Sequence, residues 1–580
     1  MQQFMDSLNN NEGIYLLLDA IKSDDAVFGT LSDEERYIVD VSLLELRLAS
    51  SIEKDDGDRD RIQRLRREIG YKEDEFYRLC HDVEEQRVSV PDGSESVAVD
   101  HRSFATAMRH WDSAPHRRAM FDAFYAHSAV RCRVLQSLRE HRHDLARSVG
   151  FDSLAALRAQ SSLFEGNVRG IECYLLNLAA SMRAQCVEEV EQLRAYSEGG
   201  LKLWDFAFAK RMDFEQNGHG QQSKDAQARI SEFERALNAH LSMEQCLQSL
   251  QRLMAMAFDL ELDRCPFGDD GILRFELKRP PPSGELLGVL YLDLFERANK
   301  AHSECITYPL LCGATRCAQS AEVVLSMNLS DAVAAGTENV SHHQLAALYH
   351  EFGHALHSLL SRTEHQTLSG PRGLCMEFME FPSSFLEHFV FDEHFLKFVV
   401  MDNQMAEGMV PPQDVLESMR RPHFAHIQSM QQIYDSLLDL ALFGDGGKQR
   451  MSMEEAVQSV YRELAVLMGN ERESELEDAL HGHLLRASRF YHFIDYPASY
   501  HCYVTAQQMS RRIWQRTFGC YAPMEGAGAR RDDRAAFEHW KGHLRHYGQR
   551  LRDDVLVFGS ARPPTQCLHD FAGSDVEKLY

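Results

Sequence analysis

Apolar residues recur every three or four positions through most of the 580-residue chain, and this period predicts helix. DEERYIVDVSLLELRLASSIE (33–53) and AMFDAFYAHSAVRCRVLQSLREHRHDLARSVG (119–150) are the fullest examples, with Gly150 ending the second. One region follows a different period. ILRFELK (272–278) alternates apolar and charged residues, as a half-buried strand does. RPPPSGE then turns the chain, and GVLYLDLF (288–295) can return as the strand's partner. CITYPLL (305–311) and AEVVLSMNL (321–329) read as further strands. A small sheet therefore precedes the helix discussed next, inside a mainly helical protein. Loops are predicted at 91–96, 215–225, 444–450 and 524–530, where Gly and polar residues cluster. No internal repeat or long low-complexity segment is visible.

LYHEFGHALHSLL (348–360) sets three histidines and a glutamate in an apolar run. Ser341 followed by Gln344 fits a capping box that starts this helix. Leu345, Leu348, Phe352, Ala355 and Leu359 form its apolar stripe. His350 and His354 are one turn apart on one face, a spacing at which two imidazoles can share a tetrahedral zinc. Glu351 is adjacent, where it can take a proton from water activated by the metal. The pattern is HExxH. The rival reading is a helix with hydrogen-bonded surface histidines.

A zinc site needs a third protein ligand. A regular helix puts His357 about 10 Å along the axis from His350, too far to share its ion. A third His following a Gly turn would fall at 360, which is Leu360. A Glu at the thermolysin-like spacing would fall at 373, which is Gly373. The next acidic cluster is MEFMEFPSSFLEHF (376–389), where Glu377, Glu380 and Glu387 have helical spacings. Pro382 is tolerated if a helix starts just before it. Such a helix, packed on the first, could give one carboxylate to zinc and leave others to orient the imidazoles.

Composition narrows the function class. Asp and Glu number 88 against 62 Lys and Arg, giving a formal charge of −26. That argues against a nucleic-acid partner, which needs clustered basic residues. An acidic cleft would suit cationic peptides, although acid excess also serves solubility alone. Thirteen cysteines without a CxxC pair read as reduced thiols in an intracellular compartment. No uncharged apolar run is long enough to span a bilayer, so no membrane partner is expected. The first 30 residues carry Asp6, Glu12, Asp19, Asp24 and Asp25 against Lys22, unlike a basic mitochondrial presequence.

At the motif residues the chain resembles the thimet oligopeptidase family of zinc peptidases. The family pattern is HE-[FM]-GHxxH, a Gly-Thr pair, then D-F-x-E-x-P-S; here it reads HEFGHALH, Ser369-Gly370-Pro371, then Glu377-Phe378-Met379-Glu380-Phe381-Pro382-Ser383. The third ligand carries over to Glu380. Three departures stand out: Pro371 in place of Thr, Glu377 in place of Asp, and a connecting segment one residue longer. The last bears on the register around 371–377. HALHSLLSRT and FLEHF resemble the mitochondrial intermediate peptidase branch. The likeness extends to YLDLFERANKAH (291–302) and to the helices from MRHWDSAPHRRAMFDAFYAH onward. It implies that this chain starts later than its relatives do.

Downstream, YHFIDYPASYHCYVTAQQM (491–509) resembles the family's H-x-x-G-Y-x-A-x-Y-Y-x-Y loop. His492, Tyr496, Tyr500 and Tyr503 fall on its His and three of its Tyr, while His501 replaces another. Asp495 and Pro497 stand where the family has a Gly-containing, flexible loop. In the family these groups stabilise the oxyanion, which requires donors aimed at developing charge. Packing of aromatic rings is the rival reading. The resemblance implies a mainly α, two-lobed helical zincin with a deep central channel, and residues 1–290 and 291–580 are expected to form its N-terminal and catalytic lobes. It implies one zinc ion on His350, His354 and Glu380, Glu351 as base, and His492, Tyr496 and Tyr503 as oxyanion donors. The expected function is a monomeric metalloendopeptidase for unfolded peptides that removes a short N-terminal peptide from imported precursors in the mitochondrial matrix. The alternatives are a general oligopeptidase, cytoplasmic or organellar, and an inactive peptide-binding scaffold.

Overall fold

The computed structural model describes residues 11–573 apart from 50–55, 82–85, 92, 94–95, 198–199, 217–230, 269–270, 298–299, 301–304, 372–374, 402–411, 421–423, 445–450, 469–472 and 521–532. The loops expected at 215–225, 444–450 and 524–530 lie almost wholly outside the described residues, as do 372–374 in the connection to Glu377. The described chain is mainly helical, as its periodicity predicts, with a small five-stranded sheet and a separate two-stranded hairpin. No helix among the described residues is long and apolar enough to cross a membrane. All thirteen cysteines are free thiols.

The chain forms two compact units. The first comprises residues 1–15, 45–227 and 423–504; the second comprises 16–44, 228–422 and 505–580. The first unit is built of helices around a core that includes Phe76, Leu138, Leu175, Ile433, Leu438 and Phe493. Its small hairpin pairs Arg87–Ser89 with Ser96–Ala98. The helical run predicted through 119–150 is two helices, Ala114–Phe124 and Ser128–Ser148, because the chain breaks at His127, whose φ is 62°. A left-handed residue cannot continue a right-handed helix. Gly150, at φ 96°, ends the second one as expected.

The second unit holds a five-stranded sheet: β1 (Glu261–Cys265), β2 (Leu273–Lys278), β3 (Leu286–Phe295), β4 (Ile306–Leu311) and β5 (Ala321–Leu329). The spatial order is β1-β2-β3-β5-β4; β3 and β5 run parallel, and the other neighbours are antiparallel. Four of these strands, β2 to β5, are the predicted ones. β1 is the addition, and its mostly exposed residues carry little apolar signal. β5 alternates buried and half-buried residues without a break. β4 is an edge strand that exposes Ile306, Tyr308, Leu310 and Leu311.

The motif helix, His342–Leu360, packs on this sheet. Ser341 and Gln344 form the predicted capping box, each side chain bonding the other's backbone N–H at 3.2 and 2.9 Å. Thirteen of its nineteen residues are buried, so this is a core helix rather than a surface one. Each buried Leu or Phe contributes roughly 1.5–3 kcal/mol, which holds the polar residues in place. At Gly288 of β3 the sheet comes so close that a Cβ would lie 2.6 Å from Leu359.

Candidate functional site

The sequence places His350 and His354 on one face; packing must supply the third ligand. The acidic segment folds as two short helices, Met376–Met379 and Phe381–Glu387, with Glu380 at the joint between them. Pro382 stands in the first turn of the second, where it displaces no helical hydrogen bond. That helix crosses the motif helix at Gly353. A Cβ on Gly353 would lie 2.6 Å from the Pro382 carbonyl oxygen and from the Ser383 Cα. The motif's glycine thus sets how close the two backbones come. The approach brings Glu380 Oε2 within 3.7 Å of His350 Nε2 and 3.6 Å of His354 Nε2. One ligand atom from each of the three residues lies within 4.8 Å of the others.

Neighbouring side chains orient this set. Glu387 Oε1 lies 2.5 Å from His350 Nδ1, so that nitrogen donates and Nε2 keeps its lone pair toward Glu380. Burial disfavours the charged form of His350, but the bond to Glu387 and the charges of Glu387, Glu380 and Glu351 outweigh it and raise its pKa. Burial likewise opposes the Glu380 carboxylate, yet the two imidazoles and Ser383 hold its pKa below the usual value. The Ser383 hydroxyl bonds the Glu380 carbonyl at 2.9 Å. Glu351 is buried, and its Oε2 has no hydrogen-bond partner among the described residues. Its carbonyl accepts from Thr307 of β4 at 3.0 Å, joining the motif helix to the edge strand.

Two sequence candidates lie elsewhere. His357 is fully buried against Phe378, outside the three-residue group, and burial pushes its pKa down to about 4. Glu377 is buried beside Cys375, outside the three-residue group. Glu380 and Glu387 both meet His350, while Glu377 sits on the separate short helix before them.

The tyrosine segment belongs to the first unit. His492 starts a one-turn helix, His492–Asp495, and its ring is encircled by Tyr496, Tyr500 and Tyr503 at centroid distances of 5.7, 4.8 and 5.7 Å. Both its ring nitrogens are shielded without a partner among the described residues. Burial, with the nearby His501, lowers its pKa to about 4, so it is a neutral imidazole that can donate one N–H. Tyr496 is 52% exposed. Asp495 accepts a short hydrogen bond from the Tyr77 hydroxyl.

The profile of peptidase family M3 matches residues 107–578. The chain belongs to that family. A mitochondrial intermediate peptidase of Arabidopsis thaliana is 24% identical across 77% of this chain and 59% of its own length. One of Aspergillus fumigatus is 24% identical across 99% of this chain and 74% of its own. The chain thus spans about three fifths of the first relative. The solved structure of PZ peptidase A with inhibitor 2 covers the whole chain with a TM-score of 0.50 at 13% identity, a shared fold. M3 membership, with relatives of these names, supports a metallopeptidase.

The residues that sequence reasoning missed in this M3 chain are those that hold the others. Gly353 is one; its signal was the glycine inside an otherwise apolar helix. Asp439 is another: its carboxylate accepts the backbone N–H groups of Ala498 and Tyr500, and nothing in the 491–509 motif points to it.

Proposed function

We propose that this protein is a zinc metalloendopeptidase for unfolded peptides, and that it removes a short N-terminal peptide from imported mitochondrial precursors. The observation that carries the reading is the convergence of His350, His354 and Glu380, with the unpartnered Glu351 carboxylate oxygen on the same helix. Two imidazole nitrogens and one carboxylate oxygen form a donor set that fits zinc and leaves a coordination position open. Bound there, zinc supplies Lewis acidity toward water and toward a peptide carbonyl.

The protein's own groups do the rest. His350 is held in the correct tautomer by Glu387. Glu351 takes the proton of the attacking water and passes it to the leaving amine. Tyr496 and Tyr503 donate to the carbonyl oxygen as it gains charge, and the neutral His492 assists. The exposed apolar edge β4, tied to the Glu351 backbone, favours an extended peptide that can add to the sheet. The names of the relatives support precursor processing in the mitochondrion.

Two experiments test the reading. Zinc content should fall far more in Glu380→Ala than in Glu377→Ala; equal loss would move the third ligand. Purified protein should convert a processed import intermediate to its mature form faster than it cleaves unrelated short peptides. The reverse preference would make it a general oligopeptidase, and no cleavage of either would make it a binding scaffold.

A further inference from the structure

The helix Ala425–Phe443 in the first unit buries two carboxylates one turn apart, Asp435 and Asp439. Their surroundings differ. Asp435 is held by both guanidinium ends of Arg486, each at 2.6 Å. Asp439 makes no ion pair among the described residues, although its solvent exposure is 0%. Its two oxygens instead accept backbone N–H groups from a single turn: Oδ1 from Ala498 at 2.8 Å and Oδ2 from Tyr500 at 3.0 Å. Burying a carboxylate without a cation costs several kcal/mol, and an apolar residue there would avoid that cost. The carboxylate must therefore act on what it binds.

What it binds is an irregular turn. Ala498 has φ 62°, in the left-handed region that disfavours any residue with a Cβ by roughly 1–2 kcal/mol. The turn links Tyr496 to Tyr500 and to the helix that carries Tyr503. Backbone bonds to both sides of Ala498 hold it in that conformation.

We propose that Asp439 is the positioning residue of the tyrosine loop: by gripping the backbone of Ala498 and Tyr500 it sets where the hydroxyls of Tyr496 and Tyr503 sit during hydrolysis. The inference rests on the oxyanion role assigned to those tyrosines above. The groups around Asp439 agree with a charged clamp. Burial pushes its carboxyl up to about 6, while the N–H groups of Tyr500, Ala498 and Ser499 and the nearby His501 pull it down. Arg142 and Arg158 also feel its charge.

The test is a double-mutant cycle on the zinc-loaded 580-residue protein with a quenched peptide, recording kcat, KM, zinc content and melting temperature. Asp439→Asn keeps the shape but turns an amide N–H against a backbone N–H. It should lower kcat about tenfold with KM within about twofold and zinc unchanged. Combined with Tyr503→Phe it should lower kcat by a smaller factor than it does in the wild type, since one of the two donors it positions is already gone. A wild-type kcat in Asp439→Asn, or fully multiplicative losses in the double variant, would overturn the inference. A wild-type kcat in both Tyr503→Phe and Tyr496→Phe would instead sink the oxyanion reading itself, and the positioning role with it. Should Asp439→Asn fail to fold, Ala498→Gly decides: glycine accepts φ 62° without strain, so the fold is kept while the turn gains freedom. A severalfold lower kcat at an unchanged or higher melting temperature supports the clamp; an unchanged kcat contradicts it.

Discussion

The motif helix and the tyrosine turn both present a few polar groups from apolar surroundings, but they hold them by opposite means. On the helix, regular backbone geometry places His350 above His354, and thirteen buried residues fix the helix in its core. Position follows from local spacing. At the turn, the backbone passes through a left-handed residue and is held by a buried carboxylate on a helix about 60 residues earlier in the chain. The first arrangement survives many substitutions provided the spacing is kept. The second depends on one side chain far away in sequence. Changes at the helix should therefore act on metal or proton transfer, and changes at the turn on transition-state stabilisation alone.

That contrast can be sharpened by substitution, beginning with the largest effect. Glu351→Gln removes the base and no ligand, so turnover should fall by about 10³-fold or more while zinc stays bound; zinc loss in this variant would mean that Glu351 supports the site structurally. Gly353→Ala should come next. Its Cβ meets the backbone of Pro382 and Ser383, which cannot give way cheaply, so Glu380 is displaced. Zinc affinity should drop at least about 100-fold and the melting temperature should fall; calorimetric zinc titration reads the first, and retained affinity would show that Glu380 does not depend on the crossing. Tyr503→Phe should lower kcat about 100-fold with little change in KM, the effect of losing one oxyanion donor of roughly 3 kcal/mol. Unchanged kcat with a lower melting point would assign Tyr503 to packing. Glu387→Gln, which weakens only the orientation of His350, should cost about tenfold in zinc affinity. Competition with a chelator of known affinity measures it, and an unchanged value would mean the bond is incidental.

Much of the helix side was legible because its signals are local. The capping box, the His spacing, the alternation of β2 and the short apolar runs of β3, β4 and β5 can each be read from consecutive residues. The two features that went unread there are non-local or weak: the close crossing at Gly353, and the short exposed strand β1. The helix break at His127 escaped because a single left-handed residue leaves the apolar period intact on either side. On the tyrosine side the resemblance pointed to His492, Tyr496 and Tyr503, while the residues by themselves read only as a row of aromatic rings. Asp439 looks like any Asp in a helical run, and its role is set by a turn whose partner lies far along the chain. The resemblance pointed to Glu380 as third ligand, while spacing alone also allowed Glu377 and Glu387; Glu380 lies between the two imidazoles, whereas Glu387 meets only the Nδ1 side of His350.

The central claim concerns which atoms hold the metal, and zinc K-edge X-ray absorption on the protein loaded with one equivalent of zinc addresses it directly. The account predicts a sulfur-free shell with two imidazole nitrogens at about 2.0–2.1 Å and a carboxylate oxygen at about 2.0–2.2 Å, with the carboxylate contribution lost in Glu380→Ala. A shell containing sulfur or a third imidazole, or one that Glu380→Ala leaves unchanged, would contradict it.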